Sequence, residues 1–100
     1  MEVVFTDRFL SRVEEYSDYI ALDDIQMAIK WARGVFELCE KLSLQPKLGR
    51  MVPEFGRSEI REIIHGNYRL VYELKKNQVY FLTVWHTKQR FEDDEFQAQE

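Results

Sequence analysis

The spacing of apolar residues changes once along this chain, and that change constrains the fold more than any other feature. Up to about residue 45, apolar side chains recur every three or four positions, which is typical of amphipathic helices. From about Ser58 onward the period becomes two, which is typical of strands. A helical first half followed by a strand-rich second half indicates an α+β domain.

Two helices are expected in the first half. Thr6 or Asp7 is a suitable N-cap for the first helix, and Asp23 or Asp24 for the second. Because the connection near Asp23 is short, the two helices are expected to form an antiparallel hairpin. The apolar stripe of the first comprises Phe9, Leu10, Val13, Tyr16 and Ile20, and that of the second Ile25, Ala28, Ile29, Ala32, Phe36, Cys39 and Leu42. Gly34 lies inside the second helix, where it would allow close approach of the first.

The strands are expected at residues 2–5, 60–65, 68–75 and 79–86. The last three form a three-stranded antiparallel meander, and the N-terminal strand can join the same sheet. The helical hairpin covers one face of this sheet and leaves the other at least partly open. The predicted organisation is a single domain over residues 1–90, with an acidic C-terminal tail over 91–100.

Charge is distributed unevenly along the chain. Residues 46–90 carry nine Lys/Arg against four Asp/Glu, a net charge of +5, whereas residues 1–45 have a net charge of −4 and residues 91–100 of −5. A local basic surface can bind phosphate, nucleic acid or an acidic peptide even when the whole chain is acidic. Ordinary surface charge is the alternative interpretation.

Other features narrow the class of protein. A single cysteine, Cys39, excludes an internal disulfide and is expected in the core. No metal-ligand spacing or glycine-rich phosphate loop is present, so neither a metal nor another cofactor is expected. No signal peptide or membrane span is recognised, which favours the cytoplasm and no membrane partner.

The basic middle supplies the candidate binding residues, which are Arg50, Arg61, Arg69, Lys88 and Arg90. Arginine suits phosphate and carboxylate ligands because its planar fork donates two parallel hydrogen bonds. Arg61 and Arg69 are expected on adjacent antiparallel strands, where the two side chains could be neighbours across the ladder. The alternative for Arg61 is a surface ion pair with Glu54 or Glu73.

Three residues are candidates for catalysis if the protein is a nuclease. Arg69 would clamp the phosphate, Glu54 would act as the general base, and His86 would exchange protons near neutral pH. A structural role is the alternative for His86, as it is for His65 at a turn.

The chain resembles the RelE/ParE superfamily of bacterial toxins. The resemblance extends from Val4 to Arg90 and rests on "LSLQPKLGRMVPE", "IREIIHGNYRLVYEL" and "VYFLTVWHTKQR" in this order. It implies the α+β fold described above and the role of toxin in a type II toxin–antitoxin or plasmid stabilisation system. The implied partner is a cognate antitoxin whose C-terminal segment wraps around the toxin.

The superfamily has two mechanistic branches, and the resemblance is closer to ParE. The RelE-like branch cleaves mRNA in the ribosome, and Arg69 matches an arginine that this branch uses to stabilise the phosphate transition state. However, Ile60 and Glu62 occupy positions where that branch has lysines, and Phe96 occupies the position of its tyrosine. The ParE-like branch poisons DNA gyrase, which is therefore the expected target. A ribosome-dependent mRNA interferase and a non-toxic antitoxin-binding regulator are the alternatives.

Overall fold

A computed structural model describes residues 1–88 of the chain. One strand, two helices and then four further strands form an α+β domain, which confirms the predicted class. Neither helix within this range combines the length and apolarity that spanning a bilayer requires. In chain order the elements are β1 (Glu2–Phe5), α1 (Asp7–Ala21), α2 (Ile25–Leu44), β2 (Arg50–Met51), β3 (Ile60–His65), β4 (Tyr68–Lys75) and β5 (Gln78–His86).

The strands form one mixed sheet in the order β1-β5-β4-β3-β2. The meander β3–β4–β5 is antiparallel, as predicted, and β1 joins it in parallel beside β5. The predicted sheet lacked β2, which pairs antiparallel with β3. β2 has only two residues, so alternation along the sequence could not reveal it.

Both helices begin at the expected caps. The Thr6 hydroxyl accepts the Phe9 N–H at 3.1 Å, and the Asp24 carboxylate accepts the Gln26 and Met27 N–H groups at 2.9 and 3.2 Å. These side chains satisfy backbone donors that a helix N-terminus leaves unpaired. Thr6 also donates to the Phe81 carbonyl at 2.8 Å, which ties the start of α1 to β5.

The predicted apolar stripe of α2 was partly wrong. Ala28, Cys39 and Leu42 are buried, but Ile25, Ile29 and Phe36 are exposed, and so is Leu10 on α1. Val35, absent from the predicted stripe, is fully buried, with Trp31 and Leu38 packed beside it. A helix that packs on a sheet buries only the side chains that point toward the sheet. The position of the sheet therefore decides which apolar residues of the helix are buried.

Gly34 makes room for β3 instead of α1. A Cβ atom at residue 34 would lie 2.6 Å from Cε1 of His65. The same imidazole contacts the Trp31 carbonyl through Nε2 at 3.2 Å. Gly34 therefore allows the end of β3 to dock on α2.

A bulge in β5 places apolar residues on both faces of the sheet. Val71 pairs with Thr83 and Tyr72 with Phe81, so Leu82 is an extra residue on β5. Phe81 packs in the core beneath the helices, whereas Leu82 and Trp85 pack in a second cluster on the opposite face. We call this opposite face, which carries Val52, Ile60, Val71, Leu82 and Trp85, the helix-free face.

Candidate functional site

Arg69 is a buried cation on the helix-free face. It lies on β4 directly opposite Ile64 of β3 and Trp85 of β5. Its guanidinium carbon is 5.0 Å from the centre of the Trp85 ring, which is within cation–π range. Only 8% of the residue is exposed, so the charge requires partners.

Two carboxylates supply those partners. Nε of Arg69 donates to Oε1 of Glu62 at 2.5 Å. Its Nη1 and Nη2 donate to the two carboxylate oxygens of Glu54 at 2.9 and 2.8 Å. Each of the three guanidinium nitrogens therefore already donates to a carboxylate.

Glu62 extends this arrangement to a second arginine. Its side chain is fully buried, and its Oε2 accepts from Nε of Arg50 at 2.7 Å. The Arg50 side chain is 66% exposed, so its guanidinium reaches solvent. We call Arg50, Glu54, Glu62 and Arg69 the Arg–Glu network; it contains two cations and two anions.

The segment before β2 positions Arg50. The Tyr72 hydroxyl accepts the Gly49 N–H at 3.0 Å and donates to the Pro46 carbonyl at 2.8 Å. A Cβ atom at residue 49 would lie 2.5 Å from the Glu62 carbonyl oxygen, so only glycine fits without movement. This close approach aligns Arg50 with Glu62 across β2 and β3.

The loop after β2 positions Glu54. The Val52 N–H donates to the Ile60 carbonyl at 3.0 Å, and the Val52 side chain is buried against the sheet. Phe55 stacks on Trp85 with ring centres 6.2 Å apart. These two apolar contacts flank Glu54 and hold its carboxylate over Arg69.

The ion pair changes the proton affinity of both partners. Hydrogen bonding to Arg69 holds the pKa of Glu54 below its ordinary value, although partial burial opposes the shift. Hydrogen bonding to Glu54 and then Glu62 raises the pKa of Arg69 against the effect of desolvation. Both groups are therefore charged at neutral pH.

Arg61 lies apart from this network. It is opposite Tyr72 in the β3–β4 ladder, whereas Arg69 is opposite Ile64. Because side chains alternate between faces, Arg61 and Arg69 extend from opposite faces of the sheet, and the expectation that they are neighbours was wrong. Nη1 of Arg61 donates to the Gly49 carbonyl at 2.9 Å.

The two carboxylates suggested as partners of Arg61 contact other arginines. Glu54 pairs with Arg69, as described above, and Glu73 lies 3.6 Å from Nη2 of Arg57. Arg61 instead ties the segment before β2 to the edge of the sheet.

His86 also lies away from Arg69. Its ring contacts Tyr68 edge-to-face at 5.2 Å, in a cleft next to α1, and its Nδ1 accepts the Lys88 N–H at 3.1 Å. Tyr68 belongs to the core beneath the helices. The structure thus brings Glu54 and Arg69 together and leaves His86 on the other face of the sheet.

The remaining candidates lie at the end of the chain. Lys88 is exposed just after β5. Arg90, Phe96 and the acidic tail fall outside residues 1–88, the range that the structure describes.

Comparison with known proteins identifies the family. Residues 3–91 match the family model described as the ParE toxin of the type II toxin–antitoxin system, parDE. The chain belongs to the ParE toxin family. Among solved structures it is similar to a chain of the chromosomal ParDE toxin–antitoxin system from P. aeruginosa, with a TM-score of 0.71. The similarity covers 86% of this chain and 95% of that one at 16% identity, so it concerns the fold. No curated protein matched significantly.

Sequence reasoning missed two residues of this ParE-family site. Glu62 was noted only as a departure from the RNA-cleaving branch, yet it bridges Arg50 and Arg69. It shares one strand face with Ile60, which is buried, but also with Ile64, which is 49% exposed, so these neighbours did not reveal its burial. Trp85 was missed because its contact with Arg69 depends on the bulge at Leu82.

Proposed function

We propose that this ParE-family chain is a binding-type toxin that poisons DNA gyrase and is neutralised by a cognate antitoxin. Membership of the ParE family supports the toxin role. The gyrase target follows from the closer resemblance to the ParE-like branch.

The pairing of Arg69 with two carboxylates is the observation that favours a binding-type toxin over an RNA-cleaving one. A phosphate clamp needs guanidinium N–H groups free to meet the developing charge. In this chain Glu54 and Glu62 accept from all three nitrogens of Arg69, within a mostly buried site. A phosphate could bind Nη1 and Nη2 together only by displacing Glu54, and the Glu62 carboxylate would remain bonded to Nε.

The separation of the catalytic candidates gives independent support. General acid–base catalysis requires groups within hydrogen-bond reach of one substrate. Glu54 is paired with Arg69 on the helix-free face, whereas His86 contacts Tyr68 on the other face. The mRNA interferase therefore stays the second candidate, supported by the sequence match at Arg69 alone.

A supercoiling assay tests the proposal. Purified gyrase should lose supercoiling activity when the toxin is added. It should keep that activity when the antitoxin is mixed with the toxin first. Ribosomes programmed with mRNA, treated with the same preparation, should keep their mRNA intact. Unaffected gyrase together with A-site cuts by the folded wild-type protein would instead establish the interferase. Expression without a growth defect would favour the non-toxic regulator.

A further inference from the structure

A cleft lined by aromatic rings opens where the helical hairpin meets the end of the sheet. Two adjoining cavities of about 350 and 490 Å³ share Tyr19, Tyr68 and His86. Tyr16 lines the smaller cavity and Trp31 the larger. We call these five residues the aromatic cleft; it lies away from the Arg–Glu network.

Tyr68 organises the rings of the aromatic cleft. Its ring centre lies 4.6 Å from that of Tyr16, 4.9 Å from that of Trp31 and 5.2 Å from that of His86. Tyr68 is buried, whereas Tyr19 is 67% exposed at the mouth. Burial, with Tyr16 and Tyr19 nearby, raises the pKa of the Tyr68 phenol and keeps it neutral. Several aromatic rings, whose faces carry the negative end of the ring quadrupole, therefore meet in one opening.

The charged groups at this opening are carboxylates. Glu15 lines the smaller cavity, and Asp23 and Asp24 line the larger. Among the described residues that line either cavity, none is Lys or Arg. This combination disfavours nucleic acid, because the carboxylates would repel the phosphates that accompany a stacked base. It favours a cation, which ring faces and carboxylates both attract.

The aromatic and acidic lining further favours a guanidinium over an ammonium. A guanidinium is planar and weakly hydrated, so it stacks on aromatic rings while its edge donates to a carboxylate. A lysine ammonium is more strongly hydrated and loses more on leaving water. We infer that the aromatic cleft is a docking site for an arginine side chain of a partner protein, with Tyr19 and Asp23 as its exposed recognition residues.

NMR of the tryptophan indole N–H groups tests this inference on the full chain. Trp31 lines the aromatic cleft and Trp85 lies on the helix-free face, so one tryptophan reports binding and the other is an internal control. The probes are acetyl-Gly-Arg-Gly-amide and the same peptide with citrulline, the neutral isostere of arginine. We expect saturable shifts at Trp31 with the arginine peptide only, and none at Trp85.

Matched variants connect the signal to the aromatic cleft. Tyr19→Ala and Asp23→Asn should each weaken arginine binding about two- to tenfold, the range for an exposed cation–π or charge contact. Leu22→Ala and Asp18→Asn change exposed neighbours outside the cleft and should leave affinity unchanged. All four lie on the surface, so the folded state should persist.

Two results would overturn the inference. One is equal binding of the citrulline peptide; the other is arginine binding that Tyr19→Ala and Asp23→Asn leave intact. The inference does not depend on gyrase being the target, so its failure would leave the proposed function untouched.

Discussion

Arg69 and Glu54 form a bidentate pair across the loop that follows β2, with N–O distances of 2.9 and 2.8 Å. The same guanidinium donates its third nitrogen to the buried Glu62. An arginine held in this way contributes to the stability of the loop and sheet, whatever ligand the surface binds.

Replacing Arg69 should destabilise the protein strongly. In Arg69→Ala the fully buried Glu62 keeps only the exposed Arg50, so we expect the free energy of unfolding to fall by about 3–5 kcal/mol. Arg50→Ala is the matched control, because it removes the exposed partner of the same carboxylate and should cost about 1 kcal/mol or less. Urea denaturation measures both; equal losses would contradict the dominant role of Arg69.

Acid should weaken the contribution of Glu54 to the stability of the folded protein. Its folded-state pKa lies below the ordinary value of 4.5, so the stabilisation is fully present above pH 4.5 and is lost as the pH falls through the lowered folded-state pKa. We expect wild type to be more stable than Glu54→Gln at pH 7 and the difference to shrink below pH 4.5. Urea midpoints across this range measure it, and a constant difference would show that the carboxylate charge is irrelevant.

Gly49 should tolerate no side chain. An added Cβ would lie 2.5 Å from the Glu62 carbonyl oxygen and 2.6 Å from the Tyr72 hydroxyl. We expect Gly49→Ala to lower the free energy of unfolding by about 1–3 kcal/mol, as other overpacking changes do. If the Tyr72 hydroxyl is part of the clash, the loss should be smaller in a Tyr72→Phe background, and strict additivity would argue against that coupling.

The effect of Gly34→Ala on stability should change sign when the His65 side chain is removed. Alanine is favoured over glycine in a helix by about 1 kcal/mol, but a Cβ at residue 34 would lie 2.6 Å from the His65 ring. We therefore expect Gly34→Ala to destabilise the wild type and to stabilise His65→Ala. Thermal denaturation of the four proteins measures this; destabilisation in both backgrounds would mean that His65 is not the obstacle.

Cys39 should be unreactive in the folded protein. Burial raises the pKa of its thiol to about 12, and only the thiolate attacks an alkylating reagent. We expect iodoacetamide at pH 8 to leave the native chain unmodified by mass spectrometry and to modify it in 8 M urea, roughly a fully denaturing concentration. Rapid labelling of the native chain would show that α2 opens readily.

Much of the fold could be predicted because long elements carry periodic patterns. β1, the capping residues Thr6 and Asp24, and the meander followed from spacing and turn chemistry. The face of α2 could not, since Val35 and Phe36 are both apolar and only the position of the sheet decides which is buried.

The arrangement of the candidate site was harder to predict from the sequence than the fold. Arg69 and Glu54 were identified separately, but their pairing depends on the loop that follows a two-residue strand. The face from which Arg61 extends depends on the pairing register of its strand, because a shift of one residue moves every side chain to the opposite face. The bridging role of Glu62 follows from the same register.

The most direct test of the gyrase proposal is the capture of broken DNA. Gyrase, relaxed plasmid and the purified toxin are incubated with ATP, and detergent and protease then reveal any trapped cleavage complex as linear DNA. We expect linear plasmid to accumulate with toxin and to disappear when antitoxin is added first. Plasmid that stays uncleaved, with supercoiling at the toxin-free rate, would contradict a gyrase-poisoning function.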